Sequence, residues 1–145
     1  MRNKAKVIAV FALMAYVSNF IWESLHAPYL YASHTFNLSF WPLMAYAAGM
    51  DALLLLSIFF AGTLIWKNFW WFRRDGVMFC LYIVITGIIV AAIIEYKAVY
   101  TFHQWTYSNL MPTVFGLGVS PLAQLALTGL LSVSIMRQFF AHHAL

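Results

Sequence analysis

The chain has 145 residues, of which 64% are hydrophobic and 8% charged, and its mean hydropathy is +0.82. Soluble domains carry about 25% charged residues, so this composition excludes a soluble enzyme or regulator and predicts an integral membrane protein. The net charge of +4 reads as a topology signal and a contact for anionic lipid, not as a nucleic-acid footprint, and the lone Cys80 excludes a disulfide framework, a dithiol relay and a multi-cysteine metal site.

Four apolar segments follow one another, at about residues 7–22, 43–66, 77–99 and 113–136. Each is close to the ~20 residues a spanning helix needs. They predict an all-α integral membrane four-helix bundle occupying residues 1–145 as a single domain, with no room for a soluble catalytic module. The first segment follows Arg2, Lys4 and Lys6 like a secretory signal, but its apolar run continues through Trp22 and no small-x-small cleavage site follows, so a retained span is expected. Arg2, Lys4, Lys6, Lys67, Arg73, Arg74 and Arg137 all fall on the side of the termini, and only Lys97 falls opposite. By the positive-inside rule both termini are cytoplasmic. His142 and His143 read as tail residues.

Aromatic residues crowd the connectors. Trp66, Trp70, Trp71 and Phe72 flank the inner loop, as an interfacial belt does. The outer connectors, about 23–41 and 100–112, hold Trp22, Tyr29, Tyr31, Phe40, Trp41, Tyr100, Phe102, Trp105 and Tyr107. That is more than anchoring requires, and a lid over the bundle is expected.

Helical spacing assigns each span one stripe of small and polar residues. The stripes are Ala12, Ala15, Asn19, Glu23; Ala47, Ala48, Asp51; Gly87, Ala91, Glu95, Ala98; and Ser120, Gln124, Thr128, Ser132. Such stripes face other helices rather than lipid. From the rise per residue, Glu23 and Glu95 are expected near the outer interface of a ~30 Å core, at the C-terminal ends of their helices, with Asp51 and Asn19 deeper and Gln124 near the middle. The pattern is a polar funnel opening outward, with Pro121 expected to break the fourth helix locally. The two hairpins also look alike: Glu23 precedes Asp51 and Glu95 precedes Gln124 by nearly equal spacings, and Pro42 and Pro112 open the inward spans.

Carboxylates at bilayer depth are costly unless protonated, paired or facing water, so Asp51, Glu23 and Glu95 are the candidate catalytic residues. Asn19, Trp22, His26, Trp41, His103, Trp105, Tyr107 and Gln124 are the candidate ligand-binding residues around them. Glu23 and His26 have the Glu-x-x-His spacing of di-iron bundles, but Glu95 is followed at that spacing by Ala98. A single metal held by Glu23, His26, Asp51, Glu95 and His103 is a minor alternative; no metal and no cofactor are expected. Paired carboxyl groups in a water-poor, aromatic-walled pocket can protonate an alkene and hold the resulting cation. No phosphate-binding loop, Gly-x-Ser-x-Gly or His-Glu-x-x-His motif is present, so hydrolases and prenyl-diphosphate enzymes find no support.

Glu95 followed by Trp105-Thr106-Tyr107, with Asn19-Phe20-Ile21-Trp22-Glu23 earlier, resembles patterns in small uncharacterised bacterial four-span membrane proteins. It is also similar to lycopene-cyclase-type and EXPERA-type membrane proteins, although the Pro-x-Glu-Glu motif of the cyclases is missing. The resemblance implies the bacterial inner membrane and carboxylates that serve alkene protonation or binding of a hydrophobic small molecule. Three readings stand. The first is an outward-facing acidic and aromatic pocket for an apolar lipid or isoprenoid, as in a cofactor-free isomerase or cyclase. The second is an accessory or assembly subunit of a larger membrane complex, and the third a proton- or cation-coupled transporter working as a homodimer.

Overall fold

The computed structural model describes residues 2–33, 37–73 and 76–141; Arg74, His142 and His143 lie outside them. Four long helices carry the fold: α1 (Arg2–Leu30), α2 (Phe40–Ile65), α3 (Val77–Tyr96) and α4 (Val119–Ala141). All four are long and apolar enough to cross a membrane. A 3-10 turn (Trp71–Arg73) precedes α3, and a π-helical turn (Lys97–Thr101) extends it. A two-stranded hairpin, β1 (Thr113–Val114) and β2 (Leu117–Gly118), leads into α4, with Thr113 opposite Gly118 and Val114 opposite Leu117. α1 packs chiefly on α2 and α3 on α4, and α1 against α4 joins the two pairs.

The element bounds depart from the sequence expectation in two instructive places. α1 runs to Leu30 instead of stopping near residue 22, passing through Pro28. A proline this close to a helix end deprives only the carbonyl four residues back, here that of Ser24, and the helix tolerates it. Glu23 therefore lies about two turns inside α1 and not at its C-terminal end, where the sequence predicts it. α4 begins at Val119, not near residue 113, because residues 113–118 fold back as the hairpin. Its two loop residues, Phe115 (φ 51°) and Gly116 (φ 79°), take the left-handed conformations of a type I′ turn. The hairpin is fastened by Tyr100 Oη donating to the Gly116 carbonyl (2.7 Å) and by Val119 N–H donating to the Pro112 carbonyl (2.8 Å). Pro121 sits in the first turn of α4, where no backbone donor is needed, and breaks nothing.

The half of the bundle nearest the termini is apolar and dry. Val7, Phe11, Leu55, Phe59, Trp71, Phe72 and Met136 are buried there, with Phe11 and Phe59 ring centroids 5.1 Å apart. Trp71 and Phe72, expected in an interfacial belt, instead turn into this core, and Trp71 Nε1 donates to the Phe59 carbonyl (3.2 Å). The void among Phe11, Leu55, Ile83 and Val133 measures about 10 Å³, at the lower limit of what one water needs. Arg73 ties the inner loop to α4 by donating to the Phe140 carbonyl (2.9 Å) while its guanidinium lies over Trp70.

Polar residues gather in the other half. Asn19 of α1, Glu95 of α3 and Gln124, Thr128 and Ser132 of α4 are buried, as their stripes require, while Glu23 and Asp51 are half-buried. α3 and α4 meet there in close backbone contact: a Cβ built on Gly87 would fall 2.9 Å from the Ala126 nitrogen. Only glycine permits that approach.

Candidate functional site

Gln124, in the second turn of α4, is the centre of the site. Its Nε2 donates toward Asp51 Oδ2 (2.7 Å), Glu23 Oε1 (2.9 Å) and Asn19 Oδ1 (3.1 Å), so one amide joins α4 to both α1 and α2. α1 and α4 run antiparallel, which sets Glu23 beside Gln124 and Asn19 beside Thr128. The asparagine is oriented from its other end, Nδ2 donating to the Ala15 carbonyl (2.8 Å). Thr128 Oγ1 lies within reach of Asn19 Oδ1 (3.2 Å) and of the Gln124 carbonyl (2.7 Å).

A hydrogen count shows what this geometry demands. A carboxamide nitrogen carries two hydrogens, and here it faces three acceptors, two of them carboxyl oxygens. The third hydrogen has a source in the protein, because Thr128 Oγ1 lies within reach of Asn19 Oδ1, which leaves the two amide hydrogens for the two carboxyl groups. Because Glu23 and Asp51 approach the same nitrogen, their oxygens lie within about 6 Å of each other.

Glu95 is held differently. Tyr107 Oη donates to Oε2 (2.5 Å), Trp105 Nε1 donates to Oε2 (3.4 Å) and Tyr31 Oη donates to Oε1 (3.3 Å). Expected near the outer interface, this carboxyl is 4% exposed and so buried. Its donors come from the connectors, which lock over the bundle as expected of a lid. Ala32 N–H donates to the Thr106 carbonyl (2.9 Å), Ser108 N–H to the Leu30 carbonyl (2.9 Å), and Ser108 Oγ to the Tyr29 carbonyl (2.6 Å). Tyr107 Oη in turn accepts from the Gly118 N–H (2.9 Å), linking the carboxyl to the hairpin. Burial, and then the adjacent Glu95, push the Tyr107 phenol above its ordinary range. The Tyr31 phenol is pushed the same way, first by burial and then by the charges of Glu95 and Glu23.

The expected site residues thus divide into groups. Asn19, Glu23, Asp51 and Gln124 form one hydrogen-bonded cluster; Glu95, Trp105 and Tyr107 form a second beside it. Trp22 and His26 stack on each other (4.7 Å between centroids) along α1, Trp22 Nε1 donating to Ser120 Oγ (3.3 Å) and His26 Nδ1 to the Trp22 carbonyl (3.0 Å). Trp41 is 56% exposed and packs edge-on against Phe40, and His103 is exposed with φ 51°. Two participants were not among the expected binding residues. Thr128 was visible as one step of the α4 stripe, and Tyr31 looked like any other ring of an interfacial belt. Among the described residues, no three His, Cys, Asp or Glu side chains gather closely enough to hold a metal ion, so the alternative metal set is not assembled.

Fold and site together define an all-α bundle of four helices, each with the length and apolarity of a membrane span, enclosing an acid-amide cluster beneath an aromatic lid. No family model, no curated protein and no solved structure matches the chain.

Proposed function

We propose that the chain is an integral membrane protein, with both termini cytoplasmic, that takes an apolar lipid or isoprenoid into the polar half of its bundle and moves a proton on it without a cofactor. The membrane assignment is supported by the apolar side chains left exposed along every helix, among them Leu13, Val17 and Ile21 on α1 and Ile85, Ile89 and Ile93 on α3. Soluble monomers rarely expose contiguous apolar surface on that scale. The observation that carries the functional reading is the pair Glu23 and Asp51, whose carboxyl oxygens converge on one amide nitrogen.

The chemistry balances with these groups alone. One carboxylic acid of the pair gives its proton to an alkene carbon, and the carbocation then loses a proton from the adjacent carbon to the other carboxylate. The double bond has moved, with no oxidant or phosphate consumed. Glu95 is held in place by its three donors, and Tyr31, Trp105 and Tyr107 supply aromatic faces beside it.

Two features weigh against the other readings. At Gly87 the small-residue stripe of α3 is occupied by the chain's own Ala126 on α4, so that contact is not available to a neighbouring subunit. The tightly packed aromatic half around Phe59 and Trp71 argues against a water route through the bundle, which a transporter needs. The test is to extract lipid that copurifies with the protein, identify it by mass spectrometry, and incubate it with protein in deuterated buffer. Deuterium should enter the carbon that leaves the double bond with wild type and not with Asp51→Asn or Glu23→Gln. Absence of copurified lipid, or equal exchange in all three proteins, refutes the reading.

A further inference from the structure

On the outside of the α1–α4 seam lies an open groove of about 230 Å³, walled by Ile21, Leu25, Leu127 and Leu131. Along α1 it extends from Ser18 to His26, about 12 Å at the helical rise. Enclosed sites for whole small molecules run to about 300–1,000 Å³, so this groove fits part of a molecule whose remainder lies outside it. Its length is close to the ~15 Å of one leaflet's hydrocarbon, and its His26 end lies one turn from the end of α1, at interface depth. These are the dimensions of one lipid chain standing in one leaflet.

The polar atoms of the lining narrow the ligand further. Ser18 Oγ donates to the Ala15 carbonyl, Thr128 Oγ1 belongs to the acid-amide cluster, and Trp22 Nε1 donates to Ser120. His26 alone has a ring nitrogen to spare. With Nδ1–H donating to the Trp22 carbonyl, the neutral ring presents Nε2 as an acceptor. Nε2 meets no donor from the protein among the described residues. An acceptor at the end of an apolar groove selects a donor on the ligand, a hydroxyl, over a carboxylate or a phosphate ester, which bring acceptors only.

We propose that this groove seats a single-chain lipid alcohol, its hydrocarbon along Ile21, Leu25, Leu127 and Leu131 and its hydroxyl donating to His26 Nε2. The inference rests on the reading that the chain spans a membrane and takes an apolar lipid, and it specifies the route: sideways from the leaflet, toward the cluster behind Thr128.

The experiment uses the full chain in phosphatidylcholine nanodiscs with a photoactivatable isoprenoid alcohol, mapping cross-links by mass spectrometry. Labels are expected to concentrate on residues 21–25 and 127–131, and Leu127→Trp, which fills the groove, should reduce them about tenfold. The unlabelled alcohol should compete well and its methyl ether poorly, and His26→Phe should abolish that preference while labelling persists. Even labelling over exposed α3 positions such as Ile85 and Ile89, or equal competition by alcohol and ether, overturns the proposal. Should Leu127→Trp fail to fold, the alcohol-to-ether ratio in wild type and His26→Phe decides alone. Deuterium exchange by wild type separates the two readings: groove labelling in a protein that exchanges no deuterium leaves the groove standing and removes the chemistry. Deuterium exchange in wild type with no concentration of label in the groove does the reverse.

Discussion

Gly49 and Gly87 both lie in helix interiors, and replacing each by alanine is the same chemical change with opposite expected outcomes. In a helix interior alanine is favoured over glycine by about 1 kcal/mol, through backbone entropy. At Gly49 nothing lies within 4 Å of the added methyl, so that gain is realised and Gly49→Ala is neutral to about 1 kcal/mol more stable. At Gly87 the methyl would sit 2.9 Å from the Ala126 nitrogen, 3.0 Å from its Cα and 3.1 Å from the Leu125 carbonyl carbon. Comfortable carbon contacts begin near 3.5 Å, so α3 and α4 must part by about half an ångström. These are backbone atoms and cannot rotate away. Overpacking of this kind costs about 1–3 kcal/mol, and because the propensity gain is common to both variants, the difference between them isolates it. Reversible unfolding in mixed micelles at increasing dodecyl sulfate, followed by tryptophan fluorescence, measures both. Gly87→Ala should fall about 1–3 kcal/mol below Gly49→Ala. Equal shifts would show that α3 and α4 do not touch at Gly87, and the seating of Gln124, two residues from Ala126, would lose its support.

Two further outcomes follow from the site. Gln124→Leu keeps the volume and removes the shared donor; at ~0.6 kcal/mol for each interhelical hydrogen bond, and more where a buried acceptor is stranded, it should destabilise by about 2–4 kcal/mol in the same titration, and a loss below about 0.5 would contradict the hub. For Tyr107 the sign is that of a group whose folded value lies above its ordinary value of 10.0: stability is fully present below that pH and declines as pH rises beyond it, while the unfolded phenol ionises and the folded one does not. Tyr107→Phe should therefore show a shallower loss of stability with alkaline pH than wild type, and an unchanged slope would contradict the burial of that hydroxyl.

Much of this arrangement was legible in the sequence because helices write their contacts at fixed intervals. Asn19 and Glu23, and Gln124 and Thr128, stand four apart, and that spacing sufficed to place them on inward faces. What period cannot give is the register between helices. Gln124 was expected at mid-depth because the last span was counted from residue 113, and the hairpin at 113–118 shifts that start to Val119. A type I′ turn is hard to read where Phe115 occupies a position that Asn or Gly normally fills. The extension of α1 was hidden by Pro28, which reads as a stop unless the remaining turn is known to be short. Tyr31 was obscure for a different reason: a ring that anchors at an interface and a ring that donates to a buried carboxyl look identical until the connector's fold is known.

The hub on Gln124 also fixes an order of events during synthesis. Glu23 is made 101 residues before the amide that receives it, and Asp51 is made 73 residues before it. At about 5–20 residues per second, the first carboxyl waits roughly 5–20 s for its partner. Through that interval α1 and α2 can pair with each other, but their acids have no protein donor from α4, and the bundle cannot close on its own polar residues until the final helix arrives. A nascent chain arrested before Gln124 emerges should therefore leave both acids without their shared partner, and release of the last helix becomes the step that seals the interior.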